Sequence, residues 1–133
     1  MAKILVCDDD KEIVEAIEIY LTQDGHQVLE AYDGIEAVEI LKKESVDLLI
    51  MDIMMPRMNG LDAARTIREM KRRDAMRVPI IAISANAFAE DIINSRLAGM
   101  NVHLAKPLDA EKVIVALKQC MADNSDVKLH EDL

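Results

Sequence analysis

Five short aliphatic runs alternate with longer segments that carry apolar residues at helical spacing, and this alternation restricts the fold more than any other feature of the sequence. The runs cover residues 3–7, 28–32, 47–52, 78–83 and 102–105. The third run has no polar face, which is typical of a strand covered on both sides in a parallel sheet. Strands that alternate with helices predict right-handed crossovers and helices on both faces of the sheet. The predicted fold class is α/β, a doubly wound five-stranded parallel sheet with five helices.

The length of 133 residues suits one domain with a core of its own. We expect this domain to cover residues 1–122, because residues 123–133 lack hydrophobic periodicity and are expected to form a flexible tail. A hydrophobic fraction of 51% excludes a disordered chain, and an aromatic fraction of 2% predicts a core of aliphatic residues and methionine. Cys7 and Cys120 lie in no metal-ligand spacing and are expected to be buried, reduced thiols.

The formal net charge of -9 opposes binding of a nucleic-acid backbone. One basic cluster follows the third run, and we interpret it as the solvated face of a helix. It consists of Arg65, Arg68, Lys71, Arg72 and Arg73. The sequence has no apolar segment long enough for a membrane span and no room for a signal peptide, so a cytoplasmic location is expected, with neither nucleic acid nor membrane as a direct partner.

Four of the five runs end in side chains suited to phosphate chemistry. Parallel strands bring their carboxyl ends to one edge of the sheet, so the residues just past each run are expected to converge. They are Asp8, Asp9 and Asp10 after the first run, Asp52 at the end of the third, Ser84 after the fourth and Lys106 after the fifth. Two or three carboxylates with a backbone carbonyl form a hard oxygen site for Mg²⁺. The central carboxylate can then act as a nucleophile and form an aspartyl phosphate.

Each of these residues also has a simpler interpretation. Glu12 follows Asp9 by three residues, so the pair can form a capping box at the start of a helix. Likewise, Gly25 is expected to end the first helix and Asp109 to cap the last. A cap needs only one carboxylate, however, and three adjacent ones repel one another unless solvent or a cation lies between them. The triplet therefore favours a metal site.

In their order along the chain, these motifs resemble the receiver domain of two-component signal transduction, the CheY-like response regulators. The resemblance covers residues 3–121 and rests on the Asp pair, on Asp-x-x-Met-Pro-x-Met-x-Gly from Asp52, and on the later Ser and Lys-Pro. It implies the strand order 2-1-3-4-5, which this family shares with flavodoxin. It also implies that Asp52 is the phosphoacceptor, and that Mg²⁺ (or Mn²⁺) is bound by Asp8, Asp9, Asp52 and the backbone carbonyl of Met54.

The resemblance assigns further roles around the phosphoryl group. Ser84 and Lys106 are expected to bind it, and Lys106-Pro107 resembles the cis peptide of the family. His103 occupies the position of the switch residue, usually Tyr or Phe, and is either a switch or an ordinary half-exposed strand residue. Met54 and Asn86 occupy the two positions that tune the lifetime of the phosphoryl group.

A receiver domain takes its phosphoryl group from a phosphohistidine of a histidine kinase or a histidine phosphotransfer domain. The resemblance implies a regulatory phosphoacceptor and not an enzyme with a substrate of its own. Its output is expected through the surface formed by the helix after the fourth strand, the fifth strand and the last helix, from a monomer or a phosphorylation-linked homodimer. The first half of the chain resembles winged-helix transcription factors and the second half hybrid histidine kinases, so a stand-alone regulator and a receiver cut from a hybrid kinase both stay open.

Two other functions compete with the switch. A haloacid-dehalogenase-like phosphohydrolase would use Asp8 as its nucleophile, and Asp8-Asp9-Asp10 provides the Asp-x-Asp pattern. That family places Thr or Val where this chain has Glu12, and it would leave Asp52 unused. A non-phosphorylated interaction module is opposed by the complete acidic pocket.

Overall fold

The carboxyl ends of five parallel strands form one edge of a single sheet in the computed structural model, which describes residues 2–85 and 89–132 and, for residues 123–132, the backbone alone. The strands are β1 (Lys3–Cys7), β2 (Gln27–Ala31), β3 (Leu48–Asp52), β4 (Ile80–Ser84) and β5 (Val102–Ala105). The helices are α1 (Lys11–Gln23), α2 (Gly34–Lys43), α3 (Gly60–Arg68), α4 (Arg73–Arg77), α5 (Ala89–Leu97) and α6 (Ala110–Asp132). All strand pairs are parallel in the order β2-β1-β3-β4-β5, which confirms the predicted fold class and topology.

The central strand β3 is buried along its whole length, as its apolar run predicts. Alternate residues point to opposite faces of a sheet, so β3 contributes to two separate cores. Leu49 and Met51 belong to the core under α2 and α3. Leu48 and Ile50 belong to the core under α1 and α6. Helices therefore cover both faces, and Asp52 lies at the end of a strand that is inaccessible from either side.

The ends of several elements are set by local capping. The carboxylate of Asp10 accepts the backbone N–H of Glu12 at 3.0 Å and is the N-cap of α1. The predicted capping box on Asp9 is thus wrong by one residue, and Asp9 is exposed beside the site instead of serving as the cap. Gly25, with φ +87°, ends α1 as predicted. Asp109 accepts the N–H of Lys112 at 2.8 Å, which confirms it as a cap of α6.

The structure has six helices among the described residues, one more than predicted. The predicted helix after the third strand stops at Arg68, and a separate short helix, α4, precedes β4. No Gly or Pro in the sequence marks the break between these two helices. Tertiary contacts set its position. Arg72 has an extended backbone with φ -133° and donates to the carbonyl of Lys42. The Arg68 guanidinium donates to the carbonyls of Ala75 and Gly99, which fixes the end of α3 against its neighbours.

Two smaller predictions concern the remainder of the chain. Cys7 and Cys120 are buried and form no disulfide, as expected. The helix α6 runs to Asp132 and so includes most of the segment for which a flexible tail is predicted; that flexibility stays a prediction. Among the helices that the structure describes, none is both long and apolar enough to cross a membrane.

We expect Gly60→Ala to destabilise the fold strongly, because a Cβ on Gly60 would overlap the carbonyl oxygen of Asp52. The expected loss in free energy of unfolding is about 3 kcal/mol, typical of an overpacked site. The control is Gly25→Ala, which meets no atom nearby but places alanine at φ +87°; it should lose about 1 kcal/mol. Urea denaturation measures both changes. Equal losses would show that the close approach at Asp52 is not limiting.

Candidate functional site

The site lies where β1 and β3 end side by side. Asp52 is the last residue of β3 and is 3% exposed, while Asp8 follows β1 and is fully buried. One carboxylate oxygen from each of Asp8, Asp9 and Asp52 lies within 4.8 Å of the other two. The sheet therefore brings together the three acidic residues that the sequence singled out.

Lys106 binds both buried carboxylates. Its Nζ lies 3.2 Å from Oδ2 of Asp8 and 3.4 Å from Oδ2 of Asp52. The lysine follows β5, and its backbone N–H donates to the carbonyl of Ser84 at 2.8 Å. The Lys106-Pro107 peptide bond is cis, as the resemblance implied. One ammonium thus faces two carboxylates, and the pocket retains an excess of negative charge.

The donor set fits a divalent cation. Oδ1 of Asp8 accepts the N–H of Asp10 at 2.9 Å. Oδ2 of Asp8 is buried and accepts no hydrogen bond within the described part of the chain, since the Lys106 ammonium contacts it as an ion pair outside hydrogen-bond alignment. A buried carboxylate oxygen in this state is costly unless a ligand completes it. Three clustered carboxylates are the hard oxygen donors that Mg²⁺ binds.

Burial and like charge shift the ionisation of the pocket. Burial raises the pKa of Asp52 to about 6, the negative charge of Asp8 adds to the rise, and Lys106 opposes it. Burial also raises the pKa of Asp8, against the hydrogen bond from Asp10 and the charge of Lys106. For Lys106, burial lowers the pKa, but the charges of Asp52 and Asp8 outweigh it and the net shift is upward. The pocket therefore favours a bound cation.

Ser84 and His103 contact each other beside this pocket. Ser84 is the last residue of β4 and is 5% exposed. Its Oγ lies 2.9 Å from Nε2 of His103 on β5. Burial lowers the pKa of His103, and the charge of Asp91 on α5 partly offsets this effect. The position of the imidazole is thus tied to the serine hydroxyl; a switching role for His103 stays a prediction.

Met54 and Asn86 are the two residues predicted to tune the lifetime of the phosphoryl group. Met54 lies two residues after Asp52 and is 74% exposed, and its N–H is 3.4 Å from Oδ1 of Asp52. Asn86 lies outside the described residues. Both tuning roles stay predictions.

One ion pair near the pocket was missed. The carboxylate of Asp33 caps α2 and also binds Arg57 in the loop after Asp52, and neither residue was among the predicted site residues. The Asp-Gly that directly precedes a helical pattern was a usable signal for the cap. No sequence signal pointed to Arg57, because the pair joins residues that are distant in the chain.

Fold and pocket together are those of a regulatory domain of two-component signalling. The family model described as the response regulator receiver domain matches residues 4–118. The chain belongs to this family.

Similar proteins include both regulators and kinases. The transcriptional regulatory protein CpxR of Escherichia coli K12 is 30% identical over 118 residues, which are 89% of this chain and 48% of CpxR. The CAI-1 autoinducer sensor kinase/phosphatase CqsS of Vibrio cholerae is 33% identical over 112 residues, which are 84% of this chain and 16% of CqsS. The chain therefore spans less than half of the length of either relative.

Two solved structures illustrate the likeness. The receiver domain of the sensor histidine kinase PA1611 from Pseudomonas aeruginosa, with a magnesium ion coordinated in its active site cleft, is similar at a TM-score of 0.83 and 35% identity. That match covers 91% of this chain and 98% of the other. The chemotaxis response regulator CheY4 of Vibrio cholerae is similar at a TM-score of 0.84 and 28% identity, covering 90% of this chain and 98% of CheY4.

The raised pKa of Asp52 predicts a pH-dependent stability in metal-free protein. The pKa of Asp52 is about 6 in the folded state, against an ordinary value of 3.8. Between these two pH values the folded state therefore binds more protons than the unfolded state. This contribution to stability therefore falls as pH rises. Asp52→Asn removes this titration. The free energy of unfolding of the variant, relative to that of the wild type, should therefore rise by about 1 kcal/mol between about pH 5 and about pH 7.5. Urea denaturation in EDTA measures the difference; a constant value would contradict the assignment.

Proposed function

We propose that this chain is a phosphorylation-dependent switch, in which Asp52 accepts a phosphoryl group from a phosphohistidine of a histidine kinase or a histidine phosphotransfer domain. The observation that carries the proposal is the buried Asp52 carboxylate, which lies in a cluster with Asp8 and 3.4 Å from the Lys106 ammonium. An Asp52 oxygen attacks the phosphorus, the P–O bond forms, and the P–N bond to the donor imidazole breaks. A pKa of about 6 leaves most Asp52 ionised near neutral pH, as a nucleophile requires.

Mg²⁺ (or Mn²⁺) supplies positive charge to the phosphoryl oxygens when it is bound. Asp8, Asp9 and Asp52 are the carboxylates that would hold it, together with the backbone carbonyl of Met54. Support comes from the clustered carboxylates and from the magnesium ion in the related receiver domain of PA1611. Lys106 adds a positive charge 3.4 Å from the Asp52 carboxylate.

The donor has a surface next to the pocket on which to dock. A cleft of about 500 Å³ lies between α1 and the segment after β5. Its lining includes Ile13 and Tyr20 of α1 together with Lys106 and Pro107. An apolar cleft that ends at the pocket lysine suits a partner helix that presents a phosphohistidine.

After transfer, Ser84 and Lys106 bind the phosphoryl group, and the change reaches the surface of α5, β5 and α6. This surface exposes Ile93 and Leu97 of α5, at 57% and 77%, and Val115 of α6, at 59%. A partner, or a second copy of the chain, that prefers the phosphorylated form of this surface shifts the population toward it. The chain acts as a regulatory domain.

Intact mass after incubation with Mg²⁺ and acetyl phosphate tests this function. The wild type should gain one phosphoryl group that hydroxylamine removes, since an acyl phosphate is labile to that nucleophile. Asp52→Ala should gain none, because the attacking oxygen is gone. EDTA should suppress the adduct in the wild type.

The same assay separates the competing functions. A wild type that stays unmodified would contradict the switch and favour an interaction module without phosphorylation. Turnover of phosphate esters that disappears in Asp8→Ala but persists in Asp52→Ala would favour the phosphohydrolase. The carboxylate of Asp10 is engaged as the N-cap of α1, which opposes its use as the second acid of such a hydrolase.

A further inference from the structure

An ion pair attaches the loop after Asp52 to the turn between β2 and α2. The Arg57 guanidinium donates two hydrogen bonds to Oδ2 of Asp33, from Nε at 2.9 Å and from Nη2 at 2.6 Å. The other oxygen of Asp33, Oδ1, accepts the N–H of Glu36 at 2.8 Å as the N-cap of α2. Asp33 is 8% exposed, and although burial raises its pKa, these hydrogen bonds outweigh it and the net shift is downward. Both carboxylate oxygens are therefore engaged.

The backbone of the same loop makes a second attachment. Gly34, next to Asp33, donates its N–H to the carbonyl of Met58 at 3.0 Å. A Cβ on Gly34 would overlap that carbonyl oxygen, so this approach needs glycine. The loop also closes on itself, since Gly60 donates to the carbonyl of Ile53 at 2.8 Å. The loop that begins next to Asp52 is thus bound both to itself and to the start of α2.

Arg57 has an unfavourable backbone conformation. Its φ is +64°, and in residues 2–85 and 89–132 it is the sole non-glycine residue with positive φ. A φ in this range is unfavourable for an L-residue other than glycine. Such strain persists only where the surroundings enforce it, and it concentrates at functional sites. The backbone N–H of Met58 donates to the carbonyl of Pro56 at 2.8 Å and closes a tight turn around Arg57. The two hydrogen bonds from the Arg57 side chain to Asp33 hold this turn against the start of α2.

We propose that Asp33 and Arg57 are positioning residues for the cation site: their ion pair keeps the loop in the conformation that places the carbonyl of Met54 beside Asp52. This inference rests on the proposed function, in which Met54 supplies one oxygen ligand. The carboxylates of Asp8 and Asp52 are fixed by strand ends and do not need the pair. Without it, Arg57 relaxes to an ordinary φ and the loop rotates, so the cation loses its backbone ligand and keeps the carboxylates.

A purely electrostatic effect of Asp33 and Arg57 on the cation would change its binding differently from a positioning effect. Removing the negative charge of Asp33 weakens attraction for a cation, whereas removing the positive charge of Arg57 strengthens it. Positioning makes both changes weaken binding. The two explanations therefore differ in the sign of the effect at Arg57.

Isothermal titration of the full chain with MgCl₂ tests the proposal, since the sequence has no tryptophan to report binding by fluorescence. Asp33→Asn keeps an oxygen for the N-cap of α2 and loses the charge; Arg57→Ala loses the guanidinium and keeps the strain. Both should raise the Kd for Mg²⁺ about tenfold, the usual effect of an outer residue that orients a metal ligand. Arg57→Gly should raise it less, because glycine adopts φ +64° without strain.

The matched control is Asp74→Asn, which makes the same charge change in the ion pair between Arg72, just before α4, and Asp74 in its first turn. It should leave the Kd unchanged. In the acetyl phosphate assay, Asp33→Asn should raise the Mg²⁺ concentration at half-maximal rate and leave the rate at saturating Mg²⁺ intact, which a general loss of structure would not do.

The outcomes are separable. A wild type that binds no Mg²⁺ overturns the proposed function. A wild type that binds, with variants of unchanged Kd, overturns only the positioning role. Tighter Mg²⁺ binding by Arg57→Ala overturns the positioning role in favour of a charge effect. An unchanged Kd in Asp33→Asn, together with a lower phosphorylation rate at saturating Mg²⁺, overturns it in favour of a purely structural role.

Discussion

The buried pair of Asp8 and Asp52 is the interaction on which the site depends. Burial raises the pKa values of both carboxylates, and the negative charge of Asp8 raises that of Asp52 further. The Lys106 ammonium, within 3.4 Å of both, neutralises one of the two charges. What is left is one negative charge, a buried oxygen without a hydrogen bond among the described residues, and an exposed Asp9 beside them. Such a pocket offers the charge and the oxygen donors that a divalent cation binds, and in the proposed function that cation assists Asp52 as the nucleophile.

The register of the sheet determines which side chains meet. Cys7 on β1 pairs with Met51 on β3, so the next residues, Asp8 and Asp52, lie level at the carboxyl edge. Ser84 on β4 pairs with Ala105 on β5, so Lys106 projects just beyond the serine. A shift of one residue in either pair would turn these side chains to the opposite face. The apolar packing on both faces of β3 fixes that register, and in this way the hydrophobic core specifies the geometry of the polar site.

The sequence alone predicted the features that are local or that repeat along a strand. Apolar runs predicted all five strands, and polar residues at their ends predicted the cluster of Asp8, Asp9, Asp52 and Lys106, because parallel strands bring these ends to one edge. The break between α3 and α4 escaped prediction, since arginine side chains that bind carbonyls elsewhere in the fold set it. The Asp33–Arg57 pair also escaped, because a positive φ at arginine has no signature in sequence. Tertiary contacts overrode local pattern in both cases.

The hydrogen bond between Ser84 and His103 connects the pocket to the outer edge of the sheet. His103 pairs with Ala82, two residues before Ser84, so the histidine and the serine lie on the same face of neighbouring strands. The strand β5 is at the edge of the sheet, and all four of its residues are partly exposed. In the proposed function, a serine hydroxyl that turns toward phosphorylated Asp52 either breaks its 2.9 Å contact with the imidazole or draws the imidazole inward. In the proposed function, either result alters the partly exposed edge strand β5, and by this route a covalent change at the buried Asp52 reaches the surface.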